Sequence, residues 1–375
     1  MAHIPGFESY SAWVIEKKVL SHVALVGITP ALGQDLCRDP QWLQIAVNYA
    51  ADTVAGARVI ARWPRILQPL VHWFIPDCQK VRGHVKEARK LMGPFIHQRQ
   101  HDRQNKKTPK EARDAIDWFY EVVQEEPFDP VTFQLTLAVV AIHSTSDMLV
   151  QALHDICSHP QLIDELRQEV VTVFSAEGFK RSSINNLKLM DSVFKESQRL
   201  KPLALGKPSL HHIKSARNQL IMILVAVQRV ATEDIKLSDG LLIPKGHTIV
   251  TPGYGMWDST VYPNADIFDG HRFLRIREQP EQEHGAQLVT TGPNHLGYGH
   301  GKRACPGRFF AAMEAKIALA HLLLNFDLKL APGTSPKVLD VGFALVPDPT
   351  AKVMIRRREE GAPLDLFMVP PVKRK

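Results

Sequence analysis

Apolar residues recur at helical spacing through most of this chain, and the beat shortens only after about residue 215. Between Asp129 and Ser158 the string DPVTFQLTLAVVAIHSTSDMLVQALHDICS is small or apolar on most faces, interrupted by His143, Ser144, Thr145 and Ser146. A helix with so few polar sides belongs in a protein interior. Pro160 then opens LIDELRQEVVTVF, spaced as an amphipathic helix, and DSVFKESQRLKPLAL predicts a short helix ended by Pro202. Upstream, residues 40–100 read as helices separated by turns at Pro64, Pro69 and Pro76, with a charged stretch around 97–110 read as a solvated loop. From 215 to 252, β-branched residues and turns at Asp239–Gly240 and 244–246 predict short strands. Irregular, proline-rich sequence continues to about 295, a glycine-rich loop feeds another apolar run, and strands return after Phe326. The fold class is mainly α with minor β, without internal repeats.

Composition narrows this. The chain has 375 residues, 45% of them hydrophobic and 23% charged, enough for one large domain or two medium ones. Its formal net charge of +7 is scattered except at the C-terminal tail, which argues against nucleic acid and leaves an acidic partner or a membrane surface. Cys37, Cys78, Cys157 and Cys305 are too few and too far apart for a disulfide scaffold or a zinc knuckle, so the thiols are expected to be reduced. The first twenty residues lack a basic segment followed by a sustained apolar core. LIMILVAVQ at 220–228 falls well short of the about 20 residues a bilayer requires, so no membrane span is expected in this chain. His211 and His212, isolated from acidic ligands, read as loop residues.

The candidate chemistry lies in YGHGKRACPG, Tyr298 to Gly307. Gly299, Gly301 and Gly307 permit tight turns and close approach of backbone to a flat object. Pro306 suits the first turn of the helix that follows. A cysteine at a helix start beside Lys302, Arg303 and Arg308 has its thiolate favoured, which suits a metal ligand. On these residues alone, ligand, nucleophile and structural cysteine all remain open.

YGHGKRACPG is similar to the haem-ligand loop of the cytochrome P450 family, F-x-x-G-x-[RH]-x-C-x-G. Gly301, Arg303, Cys305 and Gly307 match, and Tyr298 stands where phenylalanine is usual. Glu196 and Arg199 in KESQRLKP resemble the family's E-x-x-R helix, and Arg272 in YPNADIFDGHRF resembles the arginine that completes its ion-pair cluster. Alone, such an i,i+3 pair would be a surface pair; the resemblance implies a buried structural cluster. The helix over 129–158 resembles the family's oxygen-side helix, with Ala141 at the small position, His143 where an acid usually stands, Ser144 at the threonine and Thr145 beside it. Ser144 or Thr145 is implied to hydrogen-bond dioxygen or hold the water that delivers protons, and His143 is counted with them as catalytic. The competing reading is that the hydroxyls bond back to the i−4 carbonyl.

The resemblance implies a cytochrome P450-like fold, incomplete at the N-terminus. It implies heme b (iron protoporphyrin IX) ligated by Cys305 with Arg303 on a propionate, and insertion of one oxygen atom from O2 into a small apolar natural product of fungal secondary metabolism. No nicotinamide- or flavin-binding glycine fingerprint is present, so electrons are expected from a separate NADPH-dependent reductase, docked near Lys302, Arg303 and Arg308. Residues 1–34 form an atypical N-terminal segment, 35–365 the haem-thiolate domain with an anomalous insert at 207–228, and 366–375 a basic tail. The expected location is cytoplasmic or peripheral at the endoplasmic reticulum. The alternatives are a truncated relative that is non-catalytic or acts only through contacts, and a haem-thiolate isomerase or dehydratase.

Overall fold

Prolines and aspartates set the helix starts. In a computed structural model, which describes residues 8–11, 39–64, 66–105, 114–123, 128–202, 225–341 and 344–358, four long helices begin on proline. They are α1 (Pro40–Ile60), α3 (Pro76–Gln104), α5 (Pro130–Ser158) and α6 (Pro160–Glu177). Proline there loses no hydrogen bond and presets φ. Asp39 Oδ1 accepts from the Gln41 and Trp42 amides that open α1, and Asp129 Oδ1 accepts from Val131 of α5. Asp114 does the same for α4 (Ala115–Val123), accepting from Ile116 and Asp117. The short helix α2 (Gln68–Val71) contains Pro69.

The chain divides into two compact units, with the division inside α5 between Ser146 and Asp147. In the unit of residues 17–146, Trp42, Ile45, Ala46 and Tyr49 of α1 pack with Ala88 and Met92 of α3, Ile116 of α4, and Leu135, Ala138 and Ile142 of α5. Helix α3 continues to Gln104, so residues 97–104 are helical, contrary to the solvated loop expected from their charge. The charges are used for tethering: Arg99 Nη1 donates to Asp114 Oδ1 at 2.7 Å, and the Arg103 guanidinium lies 4.4 Å from the Tyr120 ring centre. Residues 106–110 of that stretch lie outside the described residues.

The other unit, residues 1–16 and 147–375, contains the rest of α5, α6, α7 (Arg181–Asn185), α8 (Lys188–Leu200), α9 (Arg272–Arg277) and α10 (Arg308–Asn325). Its strands make four small antiparallel sheets. β1 (Glu8–Ser11) and β6 (Phe326–Leu330) flank β9 (Lys352–Arg357), and β2 (Val225–Val230) pairs with β5 (Thr248–Pro252). The pairs β3 (Ile235–Lys236) with β4 (Leu242–Ile243), and β7 (Leu339–Val341) with β8 (Ala344–Val346), complete the set. The turn between β3 and β4 uses Gly240 at φ +91, as the Asp-Gly pair requires. Residues 225–228 of the expected insert are thus part of a strand paired with β5, while 203–224, with His211 and His212, lie outside the described residues. So do residues 1–34 apart from β1, and the tail 366–375.

By length and composition α5 is apolar enough to cross a membrane. Half of that stretch is buried, however, with Leu135, Ala138 and Ile142 in one unit's core and Leu149, Ala152 and Ile156 buried further along, as the pattern of a central helix predicts.

Helix α8 is unusual in being buried on every side from Leu189 to Arg199 although most of these residues are polar. Asp191, Lys195, Glu196 and Arg199, the charges on that buried stretch, all have partners. Asp191 pairs with Arg277 at 2.9 Å and with Lys316, and accepts from the Leu288 amide. Lys195 donates to the carbonyls of Gln287 and Thr290, while burial pulls its pKa down to about 7. No side chain of its own caps the helix; Glu169 of α6 does so, accepting from the Leu189 and Met190 amides at 2.6 and 2.9 Å.

Glu314 of α10 is the exception. Both its carboxylate oxygens are buried without a hydrogen-bond partner, and burial pushes its pKa up to about 8. A carboxyl raised in the folded state keeps a proton that the unfolded chain releases. Stability is therefore expected to fall as pH rises from about 4.5 to about 8, by up to about 1.4 kcal/mol per pH unit, and to level off above that. In Glu314→Gln this component of the slope should vanish, as read from denaturant unfolding at stepped pH.

Candidate functional site

Cys305 lies on a loop whose shape its glycines determine. Gly299 and Gly301 have φ +73 and +66, a left-handed conformation that side chains disfavour, and a 3-10 turn, Gly301–Arg303, carries the chain to the cysteine. The Cys305 amide donates to the Tyr298 carbonyl at 2.8 Å and so closes the loop. Helix α10 begins at Arg308 with Gly307 at its cap, so Pro306 precedes the helix instead of standing in its first turn. Gly307 is not left-handed; a Cβ there would sit 3.9 Å from the Cys305 sulfur, so glycine leaves that side of the thiol open.

The three cations beside the cysteine have separate fates. Arg308 is spent on the loop: Nη1 donates to the Cys305 carbonyl at 2.8 Å and Nε to the Val289 carbonyl at 3.1 Å. Lys302 and Arg303 are exposed, and among the described residues nothing hydrogen-bonds or pairs with Arg303. Cys305 is itself an exposed free thiol, whereas Cys78 and Cys157 are buried.

The loop is held from beneath by α8. Glu196 and Arg199 are fully buried and doubly bonded, Nε to Oε2 and Nη2 to Oε1, both at 2.8 Å. Arg272 joins them, Nε to Glu196 Oε1 at 3.0 Å, so the three residues expected to cluster do. Both arginines then spend their remaining donors on backbone: Arg199 on Met256 and Ala265, Arg272 on Pro263, Asn264 and Ile267. Met256 packs on Leu296, whose carbonyl accepts from Gly299. Further along α8, the Lys195 carbonyl faces His295 Nε2 at 3.1 Å, and Gln198 fills the space that a side chain at residue 297 would need. The Tyr298 side chain is half-buried, its hydroxyl donates to Met148 Sδ at 3.4 Å, and desolvation raises its pKa.

On α5 the structure separates two hydroxyls that sequence treats as neighbours. Ser144 is exposed and continues a row, Thr132, Thr136, Val140 and Ser144, along one face. Its Oγ donates to the Val140 carbonyl at 2.9 Å, as Thr136 does to Thr132, so the i−4 back-bond is present. Thr145 and Ser146 turn inward and are buried, with Ser146 Oγ unpartnered. His143 is bonded to the Val47 carbonyl and leaves Nε2 buried without a partner; burial lowers its pKa, so the imidazole is neutral near pH 7.

Among the described residues no three His, Cys, Asp or Glu side chains gather to hold a metal. Cys305 therefore offers one soft donor, which suits a metal arriving with its other ligands already in place. The cytochrome P450 family model matches residues 52–212 and 220–354. The chain belongs to the cytochrome P450 family. It is 43% identical over 351 residues to the cytochrome P450 monooxygenase adrA of Penicillium rubens, covering 92% of this chain and 65% of that protein. The corresponding figures for trt6 of Aspergillus terreus are 41% over 345 residues, 91% and 66%, and for ptmU of Penicillium ochrochloron 41% over 350, 92% and 65%. The chain thus spans about two thirds, or slightly less, of these P450 relatives. The family's cofactor is haem b, and the residues fit it: an open thiol, space beside the sulfur at Gly307, and an unpaired guanidinium at Arg303 for a carboxylate.

Sequence reasoning did not identify the supports of this P450 loop, namely Gln198, Lys195, Arg308 and the absence of a side chain at Gly297. The last is testable. A Cβ on Gly297 would fall 2.3 Å from Gln198 side-chain atoms, so Gly297→Ala should cost about 1–3 kcal/mol. Adding Gln198→Ala should recover part of it, giving a non-additive double-mutant cycle in thermal or denaturant unfolding.

Proposed function

We propose that this chain carries the thiolate half of a haem monooxygenase, inserting one oxygen atom from O2 into a small apolar natural product of fungal secondary metabolism. The exposed Cys305 thiol on its fixed loop carries the reading. When bound, the porphyrin iron supplies dioxygen activation, and a thiolate ligand favours O–O cleavage. The chain's own residues do the rest. Cys305 gives the sulfur ligand, and Arg308 fixes the backbone on which it stands. Arg303 pairs with a propionate.

Ser144 is the favoured hydroxyl of α5, because it is exposed while Thr145 is packed. Its proton is committed to the Val140 carbonyl, which leaves its oxygen to accept a hydrogen bond from a water. His143, neutral with an unpartnered Nε2, is able to take a proton where the family usually has an acid. Electrons come from a separate NADPH-dependent reductase, for which exposed Lys302 offers a cationic contact now that Arg308 is bound to the loop.

Two measurements test this. After haem reconstitution, the reduced protein with carbon monoxide should show the red-shifted Soret band of thiolate ligation, and Cys305→Ser should lose it while keeping its far-UV circular dichroism. An unchanged band in Cys305→Ser, or no haem uptake by a folded parent, overturns the assignment and favours a relative that acts only through contacts. With a surrogate reductase and an apolar substrate found by spectral titration, Ser144→Ala should divert NADPH to peroxide. Thr145→Ala should chiefly lower stability.

A further inference from the structure

A cavity of about 690 Å³ opens between α8, α9 and the irregular chain on either side of α9, and none of its lining residues belongs to the loop Tyr298–Gly307. That volume suits a small molecule. Its rim is exposed and polar, with Asn264, Arg275, Gln279 and Gln282, whereas the lining residues Lys195, Tyr262, Phe273 and His295 are buried and make its floor. The floor is aromatic: the Phe273 ring centre lies 5.8 Å from that of Tyr262 and 5.7 Å from that of His295, both edge-on.

Two polar groups of this floor have capacity to spare. Lys195 is 1% exposed, and its Nζ donates to the Gln287 and Thr290 carbonyls, which leaves an ammonium group one N–H over. It makes no ion pair among the described residues, because Asp191, one turn earlier on α8, is taken by Arg277 and Lys316. The other cations that line the cavity are neutralised, Arg272 by Glu196 and Arg275 by Asp269. His295 is 4% exposed, and its Nε2 faces the Lys195 carbonyl, which can only accept, so Nε2 carries the proton. Burial holds the imidazole neutral, and Nδ1 is left as a buried lone pair without a partner.

We propose that this cavity binds a small aromatic hydroxy acid, its carboxylate on Lys195, its ring against Phe273 and Tyr262, and its hydroxyl donating to His295 Nδ1. One uncompensated cation with one free N–H matches a monoanion, whereas a phosphate dianion needs more donors than the floor offers. A carboxylate there also relieves the cost of burying Lys195 without a counter-charge. The hydroxyl gives the orphaned Nδ1 the donor it lacks. Lys195 and His295 are already tied to backbone, so the floor is set before a ligand enters.

The inference does not use Cys305, so ligand binding and the carbon monoxide spectrum succeed or fail independently. The test is isothermal titration of the full chain with the three hydroxybenzoate isomers, benzoate and benzyl alcohol. Benzoate should bind, at least one hydroxybenzoate should bind more tightly, and benzyl alcohol should bind about tenfold or more weakly than benzoate. Lys195→Met should weaken acid binding by a similar factor. Should that variant fold poorly, Gly285→Trp, a change at the exposed rim, should block entry while leaving far-UV circular dichroism unchanged. No saturable binding by the parent, equal affinity for benzyl alcohol and benzoate, no gain from a hydroxyl, or unchanged binding in either folded variant would overturn the inference.

Discussion

Three buried charged side chains, Glu196, Arg199 and Arg272, are the constraint on which the thiol-bearing unit depends. Taking ions out of water is costly, and a buried pair is tolerated only when every remaining donor and lone pair is used. Here they are used on irregular backbone: the carbonyls of Met256, Pro263, Asn264, Ala265 and Ile267 accept from the two guanidinium groups. That stretch has little regular secondary structure to satisfy its carbonyls, so the arginines take the place of a sheet neighbour. Removing Glu196 would strand two buried cations and release the segment they hold.

The same logic extends along α8 to the cysteine loop. Asp191 holds the Leu288 amide, Lys195 holds the Gln287 and Thr290 carbonyls, and the Lys195 carbonyl meets His295. A run of ten or so residues without a long strand or helix is thereby fixed to a rigid helix before the chain reaches Gly299. The cysteine at its end can then remain exposed and unpartnered without the loop losing its shape. An exposed thiol on a pre-set backbone is what a ligand site needs, since the cost of ordering has been met before the ligand arrives.

Much of this was legible in the sequence, for identifiable reasons. Pro160 marks a helix start because proline loses no hydrogen bond there, whereas Pro76, read as a turn, opens α3 for the same reason; Asp239–Gly240 marks a turn because glycine readily takes its φ. The Glu196, Arg199 and Arg272 cluster was read from resemblance alone; α8 is amphipathic, with Leu189, Met190, Val193 and Phe194 on one side, so periodicity assigns the opposite side, with Glu196 and Arg199, to solvent, although both are buried. Residues 97–104 were misread because charge density resembles solvation, and only the tertiary position of Asp114 shows Arg99 to be a tether. Pro306 was placed in the helix because a proline after a loop usually begins one, but here Gly307 and Arg308 do so. Gly297 had no signal at all, since its requirement comes from Gln198, a hundred residues earlier.

The hydroxyls of α5 show where local pattern stops deciding chemistry. Ser144 and Thr145 are adjacent in sequence but about 100° apart around the helix, so one can be exposed only if the other turns elsewhere. The core decides which: Leu135, Ala138 and Ile142 fix the buried face, and that rotation leaves Ser144 in line with Val140 and Thr136. The same rotation puts the His143 ring against the Val47 carbonyl and buries Nε2 without a partner, a cost that packing alone does not require. On the reading proposed above, that nitrogen and the exposed serine beside it are the groups of α5 left to handle a proton, whereas Thr145 is committed to packing.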